Sequence, residues 1–277
     1  MIISIASGKG GTGKTLVTTN LAASLKNAEL VDCDVEEPNS YLFFPDLKIT
    51  ETSDCTLSIP IIDEEKCTRC RACSEFCAYN ALAVFPQQVL FFEGLCHGCG
   101  GCAIACPEDA ISEGSRTIGQ VFRATEGDVN LLWGELNLGE AMATPLIRAV
   151  KKKAKGDLIL IDSPPGTACP MIETVRDTDF CVLVTEPTPF GLYDLDIAVR
   201  VLKDMEIPCG VIVNRSGIGD RKVYDYCQKQ NIPLLLEIPF SREIAELYSK
   251  GILFSRAIPS WKDEFANLIS AIEELVA

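Results

Sequence analysis

The sequence predicts an α/β fold, with a mostly parallel sheet covered by helices on both faces and a small α+β insert. Three observations predict it. A glycine-rich loop, Gly8-Lys9-Gly10-Gly11-Thr12-Gly13-Lys14-Thr15, joins an apolar strand to a helix. Short continuous apolar runs then alternate with amphipathic segments, the pattern of strands buried on both faces. Two cysteine runs interrupt that alternation between Cys67 and Cys106.

Taken in order, Ile2 to Ala6 is the first strand, because apolar and small residues run directly into glycines. Thr15 to Leu25 has helical spacing and begins inside the loop. Leu30-Val31-Asp32-Cys33-Asp34 is a second strand that ends in acid. From about Tyr41 to Ile61 the sequence reads as irregular. After Cys106, the segments Gly119 to Ala124 and Asn130 to Leu136 flank Glu126-Gly127-Asp128 and form a hairpin. Met142 to Lys155 is a helix. Asp157 to Asp162, Phe180 to Thr185, Gly210 to Asn214 and Leu234 to Ile238 resume the main sheet. Lys262 to Val276 is a last helix with acids on its polar side and no basic face for a bilayer.

The formal charge of −14 disfavours a nucleic-acid partner and an anionic membrane, since both need clustered basic surface. No apolar run reaches the ~18 residues of a spanning helix, and the N-terminus reads as a strand and not as a secretory h-region. A cytoplasmic protein is expected. Of fourteen cysteines, eight fall in the two runs, so ligation suits them better than disulfides.

The glycine-rich loop has the form G-x4-G-K-T after a strand and before a helix, the context in which it binds nucleotide phosphates. The backbone N–H groups of Gly10, Gly11, Thr12 and Gly13 can surround phosphate oxygens, and the helix N-terminus favours negative charge. Lys14 is expected on the β- and γ-phosphates, and the Thr15 hydroxyl on Mg²⁺. ATP and Mg²⁺ are the expected ligands.

The cysteine runs read Cys67-x2-Cys70-x2-Cys73-x3-Cys77 and Cys96-x2-Cys99-x2-Cys102-x3-Cys106-Pro107. This is bacterial ferredoxin spacing, in which the fourth cysteine of each run serves the other cluster. Two [4Fe-4S] clusters follow: one on Cys67, Cys70, Cys73 and Cys106, the other on Cys96, Cys99, Cys102 and Cys77. Zinc is the alternative, but the two-two-three spacing, present twice, fits cubanes better. The runs resemble each other as an internal duplication, each followed by Ala-Leu or Ala-Ile that closes with a short strand. Ala78 follows Cys77 where Pro107 follows Cys106, so the two cluster environments differ. His97, the only histidine, either hydrogen-bonds a cluster sulfur or is an exposed loop residue. Cys181 and Cys209 read as buried small hydrophobes.

With Lys9 at the head of Lys-Gly-Gly-Thr-Gly-Lys-Thr, the chain resembles the deviant P-loop ATPases of the MinD/ParA/Mrp class, a SIMIBI-type P-loop NTPase fold, carrying an inserted two-cluster ferredoxin domain. The resemblance implies that Lys9 crosses a dimer interface to the partner's nucleotide, acting like an arginine finger. The other reading of Lys9 is a solvated loop lysine. The resemblance also implies switch roles. Asp34 would position the attacking water, and Asp32 would lie near Mg²⁺ and its waters. In Asp162-Ser163-Pro164-Pro165-Gly166, Asp162 would hold Mg²⁺ through water and the Gly166 N–H would face the γ-phosphate. Asn214 matches the position that reads the adenine edge. Cys169 lies at the offset where nitrogenase iron protein, a relative in this class, ligates a cluster shared by two protomers. The implied reading is an interface metal at paired Cys169 residues.

On this reading, residues 1–58 and 116–277 form the ATPase domain and 59–115 the inserted ferredoxin domain. The resemblance implies slow ATP hydrolysis in a homodimer, or in a heterodimer with a related ATPase, and a redox or metallocofactor acceptor protein. Three tasks compete: ATP-gated electron delivery, assembly or transfer of a metal cluster, and a positioning switch in which the clusters are structural only.

Overall fold

A computed structural model describes residues 1–276 of the chain. The polypeptide starts with β1 (Ile2–Ala6), α1 (Lys14–Ser24) and β2 (Ala28–Asp32). A turn of 3-10 helix over Ser40–Phe43 leads into β3 (Lys48–Ile62). Next come α2 (Ala72–Phe76), the antiparallel pair β4 (Leu82–Val84) and β5 (Val89–Phe91), and α3 (Gly101–Ile104). β6 (Ile111–Glu126) returns antiparallel to β3 and turns at Gly127 into β7 (Val129–Leu136). The remainder alternates strictly: α4 (Thr144–Lys153), β8 (Leu158–Asp162), α5 (Cys169–Val175), β9 (Phe180–Thr185), α6 (Pro189–Asp204), β10 (Cys209–Ser216), α7 (Lys222–Gln230) and β11 (Leu234–Pro239). Three helices close the chain: α8 (Arg242–Ser249), α9 (Phe254–Ala257) and α10 (Ser260–Val276).

One sheet runs β11-β10-β9-β1-β8-β2-β7-β6-β3. It is parallel from β11 to β7, and the last two strands are antiparallel. Successive residues of each central strand enter different cores. Ile3 and Ile5 of β1, and Phe180, Val182 and Val184 of β9, join a core with α1 and α10. Ala6, Cys181 and Leu183 point the other way, to a core with α6. Both faces are covered, so these strands read as continuous apolar runs. Local chemistry sets the ends of elements. The Thr188 hydroxyl accepts from Gly191 N at 3.0 Å and Pro189 takes the first helical turn, which starts α6. Asn231 in left-handed conformation stops α7.

The segment read as irregular, Tyr41 to Ile61, is mostly a strand. β3 pairs with β6 from Lys48 opposite Thr125 to Ile62 opposite Ile111. The resulting ribbon starts as the edge of the main sheet and carries the cysteine-rich segment at its far end. At its root Cys55, Leu57, Ile118 and Val121 pack with Leu146, Ile147 and Val150 of α4 in a third core. No helix among the described residues is long and apolar enough to cross a membrane.

Candidate functional site

The glycine-rich loop lies at the carboxyl ends of β1 and β8, where a parallel sheet presents loops to ligands. Two glycines are sterically required there. Gly13 has φ +102°, and a Cβ on it would lie 2.3 Å from the Asn214 amide nitrogen. A Cβ on Gly8 would lie 2.2 Å from the Asp194 carbonyl oxygen. α1 then begins at Lys14, whose side chain is buried.

Three carboxylates face Lys14. Asp32 and Asp162 are register partners on neighbouring strands β2 and β8, and both are fully buried. Burial lowers the Lys14 pKa, against the pull of Asp162, Asp34 and Asp32. Burial and then the Asp32 charge raise Asp162, while the Thr15 and Thr18 hydroxyls pull it back. Asp34 is pushed up to about 6, first by burial and then by Asp32. So much buried negative charge around one lysine calls for a further cation. Thr15 Oγ1 donates to Asp162 Oδ2 at 2.7 Å, which leaves its lone pairs for a metal. The same carboxylate accepts from Thr18 at 3.1 Å and from Ser40 at 3.4 Å. Asp32 accepts from the backbone N–H groups of Asp34, Asn39 and Ser40 at 3.0, 3.1 and 3.0 Å, and so shapes the loop that carries Asp34. The Thr12 hydroxyl is buried without a hydrogen-bond partner, as a phosphate-binding group would be before its ligand arrives.

Other expected residues lie nearby with different partners. Gly166, at φ +91°, donates its N–H to Ser7 O at 3.2 Å. Facing a γ-phosphate would require that bond to be exchanged. Asn214 donates to Thr12 O at 2.8 Å and accepts from its neighbour Arg215 N at 2.9 Å, so here its amide holds the phosphate loop. Lys9 Nζ lies 3.8 Å from Glu186, whose carboxylate also takes Arg215 at 2.6 Å. Cys169 is the exposed first residue of α5. Sequence reasoning missed Thr18, Ser40 and Glu186. Thr18 lies three residues beyond Thr15 on the same helical face and was readable in principle. Ser40 and Glu186 are placed by loops and carried no local signal.

The cysteines gather at the end of the ribbon in two cages. Cys67, Cys70, Cys73 and Cys106 line one space. Cys77, Cys96, Cys99 and Cys102 line the other. Each cage takes three thiols from one run and the fourth from the other. The duplication extends to hydrogen bonds, since Ala81 N donates to Cys77 Sγ and Ala110 N to Cys106 Sγ, both at 3.3 Å. All fourteen cysteines are free thiols. Among the described residues, no three cysteine, histidine or acidic side chains converge on one point as ligands of a single ion. The sulfurs ring a space instead, the arrangement that suits four irons with one thiolate each. Arg69, in the wall of the first cage, and Arg116, close enough to Cys96 to feel its charge, each bury an Nε–H without an acceptor. Cluster sulfur is a suitable acceptor for such donors. Tyr79 and His97 stack with ring centroids 3.4 Å apart in the wall of the second cage.

Residues 3–254 match the family model described as the CobQ/CobB/MinD/ParA nucleotide binding domain. An uncharacterized protein of Methanocaldococcus jannaschii is 30% identical over 97% of either chain. An iron-sulfur cluster carrier protein of the same organism is 26% identical over 99% of this chain and 84% of its own. Among solved structures, the septum site-determining protein MinD with Mg-ADP from Pyrococcus horikoshii superposes with a TM-score of 0.59 at 23% identity, covering 100% of this chain and 97% of that one.

Proposed function

The chain belongs to the CobQ/CobB/MinD/ParA family of nucleotide-binding ATPases, and from that premise we propose that it is an ATP-switched iron–sulfur protein that delivers electrons through two [4Fe-4S] clusters. One observation carries the proposal: two four-cysteine cages with crossed membership stand on a ribbon continuous with the ATPase sheet. On this reading residues 59–115 act as an inserted ferredoxin domain between ATPase segments 1–58 and 116–277. MgATP binds on Gly10 to Thr15, with Lys14 on the phosphates, Thr15 on the metal and Asp32 and Asp162 around its waters. Asp34 orients the attacking water, and Gly166 and Asn214 complete the nucleotide pocket. Closure of two ATP-loaded protomers brings Lys9 to the partner's phosphates and exposes the clusters to an acceptor protein.

A second reading is favoured by two observations, the exposed position of Cys169 and the naming of several relatives as iron-sulfur cluster carrier proteins. In it paired Cys169 residues hold a transferable cluster, and the ferredoxin segment supplies electrons for its assembly.

Anaerobic purification with iron and sulfide analysis tests the common core. About eight irons per chain and the EPR of reduced cubanes are expected. Zinc in place of iron overturns both readings. Incubation with ATP and an apo acceptor then separates them. Reoxidation without iron loss supports electron delivery, and iron transfer supports assembly.

A further inference from the structure

The two cages sit in duplicated loops with the same backbone. Arg69 has φ +58° and Arg71 φ +71°. Their counterparts in the second run, Gly98 and Gly100, have φ +65° and +70°. Both positions need the left-handed conformation, which is unfavourable for a residue with a Cβ. The second loop meets that need with glycine. The first places an arginine at each position and accepts the strain, as functional sites do.

Resting on the reading that both cages hold four-iron clusters, we propose that the clusters are unequal, that the first cage holds its electron more tightly, and that Arg69 sets this by donating Nε–H to a sulfur of that cluster.

The charges in the walls differ in sign. Arg69, Arg71 and Glu108 line the first cage, two cations against one carboxylate. Glu113 is the one charged side chain in the wall of the second. The Arg69 guanidinium is held in place, with Nη2 donating to Gln87 O at 3.1 Å and to Glu64 at 3.4 Å. Its Nε is buried without a partner, a cost that an acceptor inside the cage would remove. Arg116 near Cys96 has a similar orphaned Nε, but two carboxylates, Glu140 and Glu93, pair with it, against the single Glu64 on Arg69. Adding one electron makes a four-iron cluster more negative by one unit. A nearby cation and an N–H···S bond therefore favour the reduced form and raise the potential. With that order of potentials, one electron taken from a one-electron donor by the second cluster would pass to the first; each cage has one exposed cysteine, Cys70 in the first and Cys99 in the second. No bond is made or broken and no proton moves.

EPR-monitored reductive titration of anaerobic protein with dithionite tests this, after iron and sulfide analysis of each sample. Two one-electron steps are expected. In Cys70→Ser, whether the first cluster is perturbed or lost, the unperturbed step is the lower one. Arg69→Gly installs the residue of the second loop, relieves the strain and keeps the fold. It is expected to move the upper step down and leave the lower in place, at unchanged iron content. Arg69→Lys keeps charge without the Nε–H and gives an intermediate shift. An unchanged upper step in Arg69→Gly, or an unperturbed upper step in Cys70→Ser, overturns the proposal. Absence of iron from the wild type is a separate failure, of the cluster reading itself, and shows before any titration.

Discussion

Arg148 grips Glu173 through two parallel hydrogen bonds of 2.8 and 2.9 Å, and this fork ties α4 to α5, the helix that follows the Asp162–Gly166 segment. Lys151, one turn along α4, donates to the carbonyls of Glu173, Thr174 and Arg176 at 2.9, 2.9 and 2.5 Å, capping the end of α5. The other face of α4 packs with Val35, next to Asp34, and with Leu57 at the root of the ribbon. Leu57 in turn lies where a Cβ on Gly98, inside the second cage, would come within 2.6 Å. One helix thus links the segment of Asp34, the helix that follows Asp162–Gly166 and the support of a cysteine-run loop. Lys151→Met should cost about 1–3 kcal/mol by stranding those carbonyls. It should leave ATP affinity and iron content near wild type. Hydrogen exchange of residues 96–102 with and without MgATP is the readout: a nucleotide-dependent difference is expected in wild type and should shrink several-fold in the variant. A full difference in the variant would break the link between α4 and the clusters.

Asp34 gives a pH dependence with a defined sign. Its folded pKa of about 6 lies above the usual carboxylate value, because burial and Asp32 oppose its charge. A raised carboxyl contributes stability below its unfolded pKa and loses it as pH rises through 6. Nucleotide-free protein should therefore gain from Asp34→Asn at pH 8 by about 1 kcal/mol, after discounting for solvent screening at this partly exposed group. That is roughly 2–4 °C in Tm for a chain of this size, and the gain should vanish near pH 4. Hydrolysis should behave oppositely, falling tenfold or more in the variant and falling in wild type below about pH 6. Calorimetry and phosphate release across pH check both halves.

The two loop lysines should separate binding from turnover. Lys14 is buried among Asp32, Asp34 and Asp162, so Lys14→Ala removes their counter-charge and, on the proposed function, a phosphate contact. A loss of ATP affinity of roughly 100-fold or more is expected, about 3 kcal/mol, with the cluster absorbance retained. Lys9 is held more loosely, 3.8 Å from a carboxylate that Arg215 already satisfies at 2.6 Å. It can leave Glu186 at little cost. Lys9→Ala should keep ATP affinity within a few-fold and lower hydrolysis by about 10³, the scale of an arginine finger. Equal hydrolysis in wild type and Lys9→Ala would return Lys9 to the status of a solvated loop residue.

The sequence made the parallel sheet legible because its strands are buried on both sides and their signal is local. Phe180 to Thr185 is apolar at almost every position, and the structure buries all six residues. The ribbon was illegible for the converse reason. In β3 only Cys55 and Leu57 are buried, Thr and Ser fill the solvent side, and Pro60 sits in an edge strand that needs no donor there. Its partner β6 lies dozens of residues away, across both cysteine runs. The glycine-rich loop and the grouping of the cysteines were legible because close backbone approach and regular thiol spacing constrain residue type locally. Ser40 and Glu186 were not, since a loop fold and not a spacing brings them to Asp162 and Lys9.

Cys169 offers the sharpest test of the carrier reading. It opens α5 at the surface, and Lys151 pins the far end of that helix, so a switch movement beginning at Asp162 would displace the thiol. It belongs to neither cage. Cys169→Ser should therefore leave the iron of the resident clusters and their EPR untouched. If a third cluster bridges two protomers, wild type should carry more iron than the variant, up to about two further atoms per chain for a four-iron cluster shared by two. Transfer to an apo acceptor should then be lost in the variant, while electron delivery to a one-electron redox dye persists. Matching iron content and matching transfer in the two proteins would remove Cys169 from the mechanism and leave electron delivery as the task of the eight caged thiols.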